Sequence, residues 1–227
     1  MNVKKVVFLL RGLEGLGHIV PSSSLAKRLI KHGVDVHFIT YSNGVRFLER
    51  QGFAHITDIG APLHQRGAVP WKNMFEITKQ VLPLIKKIEP DLVVVDGECD
   101  SLFLLGAVDV KVAFVTTPHY VNLNFGYWKE FELYGRAGLQ RPNKTIIHGF
   151  FKPSGHAPRS VFVGPIVREH PLPSMGKTVP IVLSQGCSSS MIVFAKQAAR
   201  ILKTMGYPAR IIGNRGNIRG DTMELFA

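Results

Sequence analysis

The stretch VKKVVFLLRGLEGLGHIVPSSSLAKRLIKHGVDVHFIT, Val3 to Thr40, decides the fold. It opens with a β-branched and apolar run ending at Leu10, the pattern of a strand buried on both faces of a parallel sheet. A glycine-bearing turn follows. Val20 to His32 then predicts a helix, with Leu25, Leu29 and Ile30 on one face, Lys27, Arg28 and Lys31 opposite, and Gly33 as the C-terminal cap. Val34 to Thr40 predicts a second strand, which completes a strand–turn–helix–strand unit.

Outward from this unit the alternation continues. Ser42–Gly52 predicts a short helix and Phe53–Ile59 a third strand. Val69–Glu89 predicts a longer helix with a kink at Pro83, followed by a fourth strand in DLVVVD (91–96). DSLFLLGAV (100–108) reads as a helix and KVAFVTT (111–117) as a fifth strand. Such alternation predicts an α/β fold with a doubly wound, Rossmann-like parallel sheet. Between Pro118 and Lys144 aromatic residues mix with glycine and asparagine, which reads as a long loop. TIIHG (145–149) and SVFVGPIV (160–167) add two short strands, and the prolines and charges of REHPLPSMGKTVP mark a linker. The expected organisation is a Rossmann-like domain over 1–170, a linker over 171–178, and a partial second Rossmann-like lobe over 179–227. In that lobe PIVLSQG and PARIIG are strands and Ser188–Met205 a helix.

Composition narrows the function classes. Of 227 residues 45% are apolar and 19% charged, an ordinary globular balance. The run VVFLL is shorter than the roughly 7–15 apolar residues of a signal peptide, and Asp109 and Lys111 interrupt the apolar stretch from Leu102 to Val115, so a cytoplasmic protein is expected. Cys99 and Cys187 lie far apart, with no CxxC spacing and no histidines clustered in sequence; neither a disulfide nor a metal is expected. A net charge of +12 calls for an acidic partner: nucleic acid, an anionic membrane surface, or a phosphorylated small substrate. The basic residues are scattered in ones and twos without an RNA-binding aromatic motif, which disfavours nucleic acid and leaves peripheral membrane contact open.

His18 lies on the turn after the first strand, a turn that faces the ligand crevice of an open parallel sheet. The glycines there, Gly12, Gly15 and Gly17, do not fit G-x-G-x-x-G, and the second strand ends in Thr40 and Tyr41 rather than an acid; no nicotinamide dinucleotide, and no other cofactor, is expected. They do allow a substrate to approach the backbone. Asp96 ends the fourth strand, where it can meet His18; an aspartate on Nδ1 fixes the tautomer and leaves Nε2 to take a hydroxyl proton. Alternatively, Asp96 caps the next helix and His18 packs alone, with Glu98 and Asp100 as competing acids and His119 as a competing base. A second small-residue turn, SQGCSSS (184–190), either cradles a diphosphate or is an ordinary serine-capped loop.

The segments GLGHIVPSSSLAKRLIKHGVDVHFIT, PDLVVVDGECDSLFLLGA, SVFVGPIVRE and PIVLSQGCSSS, in this order, resemble GT-B glycosyltransferases. The likeness is to UDP-glycosyltransferases and to lipid-linked N-acetylglucosaminyltransferases. The resemblance implies that His18 is the base for an acceptor hydroxyl and that Asp96 supports it. It assigns Gly15, Gly17, Glu98 and His119 to the acceptor side, with the aromatic segment Tyr120–Tyr134, and Gly186, Ser188 and Ser189 to the donor phosphates. In the lipid-carrier enzymes the glycine turn chiefly holds the acceptor diphosphate. The implied partners are a nucleotide-sugar donor, expected to be a UDP-sugar, and a small-molecule or lipid-linked acceptor. Here Cys187 and serines replace glycines of the family's donor loop, and Ala227 falls one strand–helix–strand unit into the second lobe. The expectation is therefore a transferase completed by a second subunit or another copy. The alternatives are a non-catalytic acceptor- or sugar-binding protein that has lost the donor site, and a sugar-nucleotide epimerase of the same fold.

Overall fold

A computed structural model describes residues 3–12, 16–60, 70–97, 108–117, 142–149, 152, 159–166, 181–184, 189–206 and 209–212. The chain divides into two compact units, Met1–Glu169 and His170–Ala227.

The first unit is built on seven strands: β1 (Lys5–Leu10), β2 (Asp35–Thr40), β3 (Ile56–Asp58), β4 (Leu92–Asp96), β5 (Lys111–Thr116), β6 (Lys144–His148) and β7 (Ser160–Val163). All pair in parallel, in the order β3-β2-β1-β4-β5-β6-β7. Among the described residues, helices α1 (Ile19–Lys31), α2 (Asn43–Arg50) and α3 (Pro70–Ile88) flank the sheet. Ile77, Val81 and Ile85 of α3 bury one face, against Val7, Leu9, Ile39, Val93, Val95 and Phe114. Ile19 and Ala26 of α1 and Leu48 of α2 bury the other, against Val6, Phe8, Leu10, Phe38, Val94 and Val115. Cover on both faces explains why β1 and β4 read as unbroken apolar runs rather than alternating ones. Each such side chain contributes about 1.5–3 kcal/mol on burial.

The apolar face expected for α1 is corrected in part. Ile30 is 46% exposed, and the buried stripe is Ile19, Ser22, Ser23 and Ala26, at helical spacing i, i+3, i+4, i+7. Leu25 and Leu29 only flank the core. The helix turns its small residues inward, which brings its first turn close to the sheet and lets Ser22 reach a strand end. In α3, Pro70 occupies the first helical position, where no N–H is needed, and Pro83 lies inside the helix, where its missing N–H removes one backbone bond. The expected helix over 100–108, most of the expected loop after Pro118, and the linker over 171–178 lie outside the described residues.

In the second unit β8 (Ile181–Ser184) and β9 (Ala209–Ile212) pair in parallel, with helix α4 (Ser189–Thr204) between them in the chain. Ile201 and, just past the helix, Met205 are exposed. Among the described residues, no helix is long and apolar enough to cross a membrane.

Candidate active site

The strand order reverses its direction of growth at β1: β2 and β3 lie on one side of it, β4 to β7 on the other. At such a switch point the loops leaving β1 and β4 run apart and open a crevice beyond the carboxyl ends of the strands. Leu10 at the end of β1 stands in register with Asp96 at the end of β4, so His18, eight residues past β1's last, and Asp96 arrive at the same crevice.

The two side chains meet there. His18 Nδ1 lies 2.8 Å from Asp96 Oδ1, with the imidazole 26% and the carboxylate 2% exposed. The other carboxylate oxygen, Oδ2, accepts a 2.7 Å hydrogen bond from Ser22 Oγ. His18 occupies the N-cap position of α1, yet its side chain makes no capping bond. Nor does Ser22 behave like its neighbours, since Ser23 and Ser24 donate back to the Val20 carbonyl within the helix. Both His18 and Ser22 are thus aimed at Asp96, one turn of α1 apart.

Gly97 makes the approach possible. Its φ is +79°, a conformation side chains rarely adopt, and a Cβ there would sit 2.7 Å from His18 Cγ. Gly12 serves packing in the same way, because a Cβ on it would collide with the Tyr41 carbonyl oxygen. Gly17 is exposed and open space surrounds it.

A second histidine belongs to this edge. Asp96, Val115 and Ile146 stand in register across β4, β5 and β6, and His148 lies two residues beyond Ile146, on the same face of the sheet. Burial holds the pKa of His148 below its ordinary value; the Asp96 charge pulls it back up and His18 pushes it further down. Those influences place the ring near the pair. Ser22, Gly97 and His148 were not singled out in the sequence. For Ser22 the signal was its i+4 spacing from His18; for His148 it was a polar residue closing an apolar strand, as Asp96 closes β4.

Of the other expected site residues, Gly15, Glu98, His119, Gly186 and Ser188 lie outside the described residues, and Ser189 is the first residue of α4.

Chemically, a histidine that donates Nδ1–H to a buried carboxylate carries its lone pair on Nε2 and is stabilised when it takes up a proton there. Residues 15–116, which hold both partners, match the glycosyltransferase family 28 N-terminal domain. The seven-stranded parallel sheet with flanking helices is a Rossmann-like α/β fold that matches the fold of GT-B glycosyltransferases. An uncharacterized glycosyltransferase of Methanosarcina mazei is 26% identical over 150 residues, covering 60% of this chain and 38% of that protein. The chain thus spans well under half of that relative's length. MurG of Acinetobacter baumannii superposes with a TM-score of 0.57 at 16% identity, over 92% of this chain and 60% of that one. UDP-N-acetylglucosamine 2-epimerase of Rickettsia bellii superposes with a TM-score of 0.59 at 10% identity, over 100% of this chain and 69% of that one. Because transferase and epimerase share the architecture, the site rather than the fold has to choose the chemistry.

Proposed function

We propose that this chain carries the acceptor-activating half of a sugar transfer, in which a nucleoside diphosphate sugar gives its sugar to an acceptor hydroxyl. The observation that carries the reading is the His18–Asp96 contact of 2.8 Å at the switch point, with Ser22 holding the second carboxylate oxygen. His18 Nε2 takes the proton of the acceptor hydroxyl as its oxygen attacks the anomeric carbon. The bond from that carbon to the diphosphate oxygen breaks, and the nucleoside diphosphate, UDP in this reading, leaves with the electron pair. Asp96 stabilises the imidazolium formed, and Ser22 keeps Asp96 in place. His148, whose ring burial disfavours charging, offers the acceptor a neutral hydrogen-bond partner on the same face.

On this reading Gly15, Gly17, Glu98 and His119 belong to the acceptor side, 1–170 is the acceptor domain, and 179–227 belongs to the donor side. Gly186, Ser188 and Ser189 precede or open α4, where a helix N-terminus favours an anionic diphosphate. A lipid-linked acceptor at an anionic membrane surface would suit the charge of +12.

The test is turnover of the full protein with UDP-sugars and a panel of hydroxyl and lipid-linked acceptors, read as UDP released and product formed. His18→Ala is expected to lower kcat by about 10²–10⁴-fold, the usual contribution of a positioned base. Unchanged turnover would remove the base from the mechanism. The likeness to a 2-epimerase favours one second reading, and an epimerised sugar nucleotide formed without any acceptor would replace transfer with it.

A further inference from the structure

At the other end of the strands, a second group of polar side chains converges. Asp35 opens β2, His37 follows on the same face, and His55 precedes β3 beside His37; the Phe38 amide donates to the His55 carbonyl oxygen at 2.8 Å. Lys5 on β1 to Leu10 is five residues, so this group stands about 16 Å along the sheet from the Asp96 end. His37 Nε2 is 3.0 Å from Asp35 Oδ2, and His55 Nε2 is 3.9 Å from Asp35 Oδ1. The two imidazoles stack with centroids 4.5 Å apart and planes 15° apart, and one donor atom from each of the three residues lies within 4.8 Å of the others. Lys5, next to Asp35 on the neighbouring strand, donates its ammonium to the Ile88 carbonyl oxygen at 2.9 Å, which leaves the carboxylate facing the imidazoles.

We propose that Asp35, His37 and His55 form a site for a divalent first-row transition metal ion, with Zn²⁺ as the ion its chemistry suits best. Two imidazole nitrogens and one carboxylate oxygen are borderline-to-hard donors, which fit Zn²⁺ with water completing a tetrahedron. Donors about 2.0–2.1 Å from such an ion lie roughly 3.4 Å apart, so the array closes onto a metal by side-chain movements of about an ångström. The lie of the chain shows what the ion would do. β3 is a three-residue strand that, among the described residues, pairs only with β2, and the ion would clasp the approach to β3 to the start of β2. It would act on the stability of this edge and not on the acceptor chemistry at the opposite end.

The experiment titrates untagged full chain with Zn²⁺ by calorimetry, with Co²⁺ as a visible-absorbance probe. The expected result is one ion per chain with micromolar affinity, tetrahedral Co²⁺ bands, and a Tm that rises with free Zn²⁺. Loss of an outer partner alone commonly costs about 10–100-fold in metal affinity. The double variant H37A/H55A is therefore expected to lose at least about tenfold in affinity, together with the Co²⁺ bands, while the control His32→Ala keeps both. Circular dichroism establishes that the variants are folded; should the double variant unfold, His55→Gln alone replaces it in the same comparison. The proposal is overturned if wild type binds no stoichiometric ion, or if the folded double variant, or His55→Gln in its place, binds as wild type does.

Discussion

Two aspartate–histidine pairs stand at opposite ends of one sheet. Their contact distances are nearly the same, 2.8 Å for Asp96–His18 and 3.0 Å for Asp35–His37. Their surroundings are not. Asp96 is 2% exposed, accepts a second bond from Ser22, and meets a partner 78 residues away in sequence. Asp35 is 44% exposed and meets a histidine two residues away on its own strand. Burial away from solvent strengthens the electrostatic coupling of the first pair, whereas water screens the second, whose contact is worth well under about 1 kcal/mol. A short Asp–His distance alone therefore says little about chemistry; depth, the second hydrogen bond, and the strand end on which the pair sits decide it.

The sharpest way to break this comparison is to make the same substitution in both pairs. Asp96→Asn keeps the shape but offers an amide that can hold the imidazole in the wrong tautomer, and it removes the charge that stabilises the imidazolium. Turnover is expected to fall by about 10²–10⁴-fold, measured as UDP release. Asp35→Asn should leave turnover unchanged and weaken only the binding of Zn²⁺. Equal effects on turnover would erase the distinction between the ends.

A smaller effect tests the second bond. Ser22→Ala leaves the buried Asp96 Oδ2 without the donor it has now, at a cost of about 1–3 kcal/mol in unfolding free energy by urea denaturation. Turnover should fall by less than in Asp96→Asn, because His18 still faces the carboxylate. Ser24→Ala, which removes only a bond inside α1, should change stability by less than about 0.5 kcal/mol. If Ser22→Ala matched Ser24→Ala, Asp96 would not depend on Ser22.

The strands were legible because burial on both faces writes itself as an apolar run, as in DLVVVD and KVAFVTT. Their order was not, since nothing in β1 itself says that β2 will lie on one side of it and β4 on the other. The His18–Asp96 contact was legible only as one option, by placing both at strand ends; the register of Leu10 with Asp96 is what brings them together. Ser22 carries no apolar signature, and a helix face read from its large apolar residues takes in Ile30 rather than the small residues that are buried. Buried polar residues defeat hydrophobic periodicity, and here they mark the site. The meeting of His37 and His55, eighteen residues apart, follows from strand pairing and has no local signature.

The smallest expected effect concerns the third histidine at the carboxyl edge. Burial lowers the pKa of His148 in the folded chain, while the unfolded chain binds that proton at an ordinary value near 6.5. As pH falls through about 6.5 the unfolded state takes up the proton first, so stability declines; the decline ends once pH passes below the lowered folded value. Above about 7 neither state holds the proton and His148 contributes no slope. Urea denaturation at a series of pH values should therefore show a shallower acid-side loss in His148→Asn than in wild type, with no difference in slope above neutrality. Identical slopes in wild type and His148→Asn would mean that the ring is as well solvated folded as unfolded, which would remove it from the closed side of the crevice.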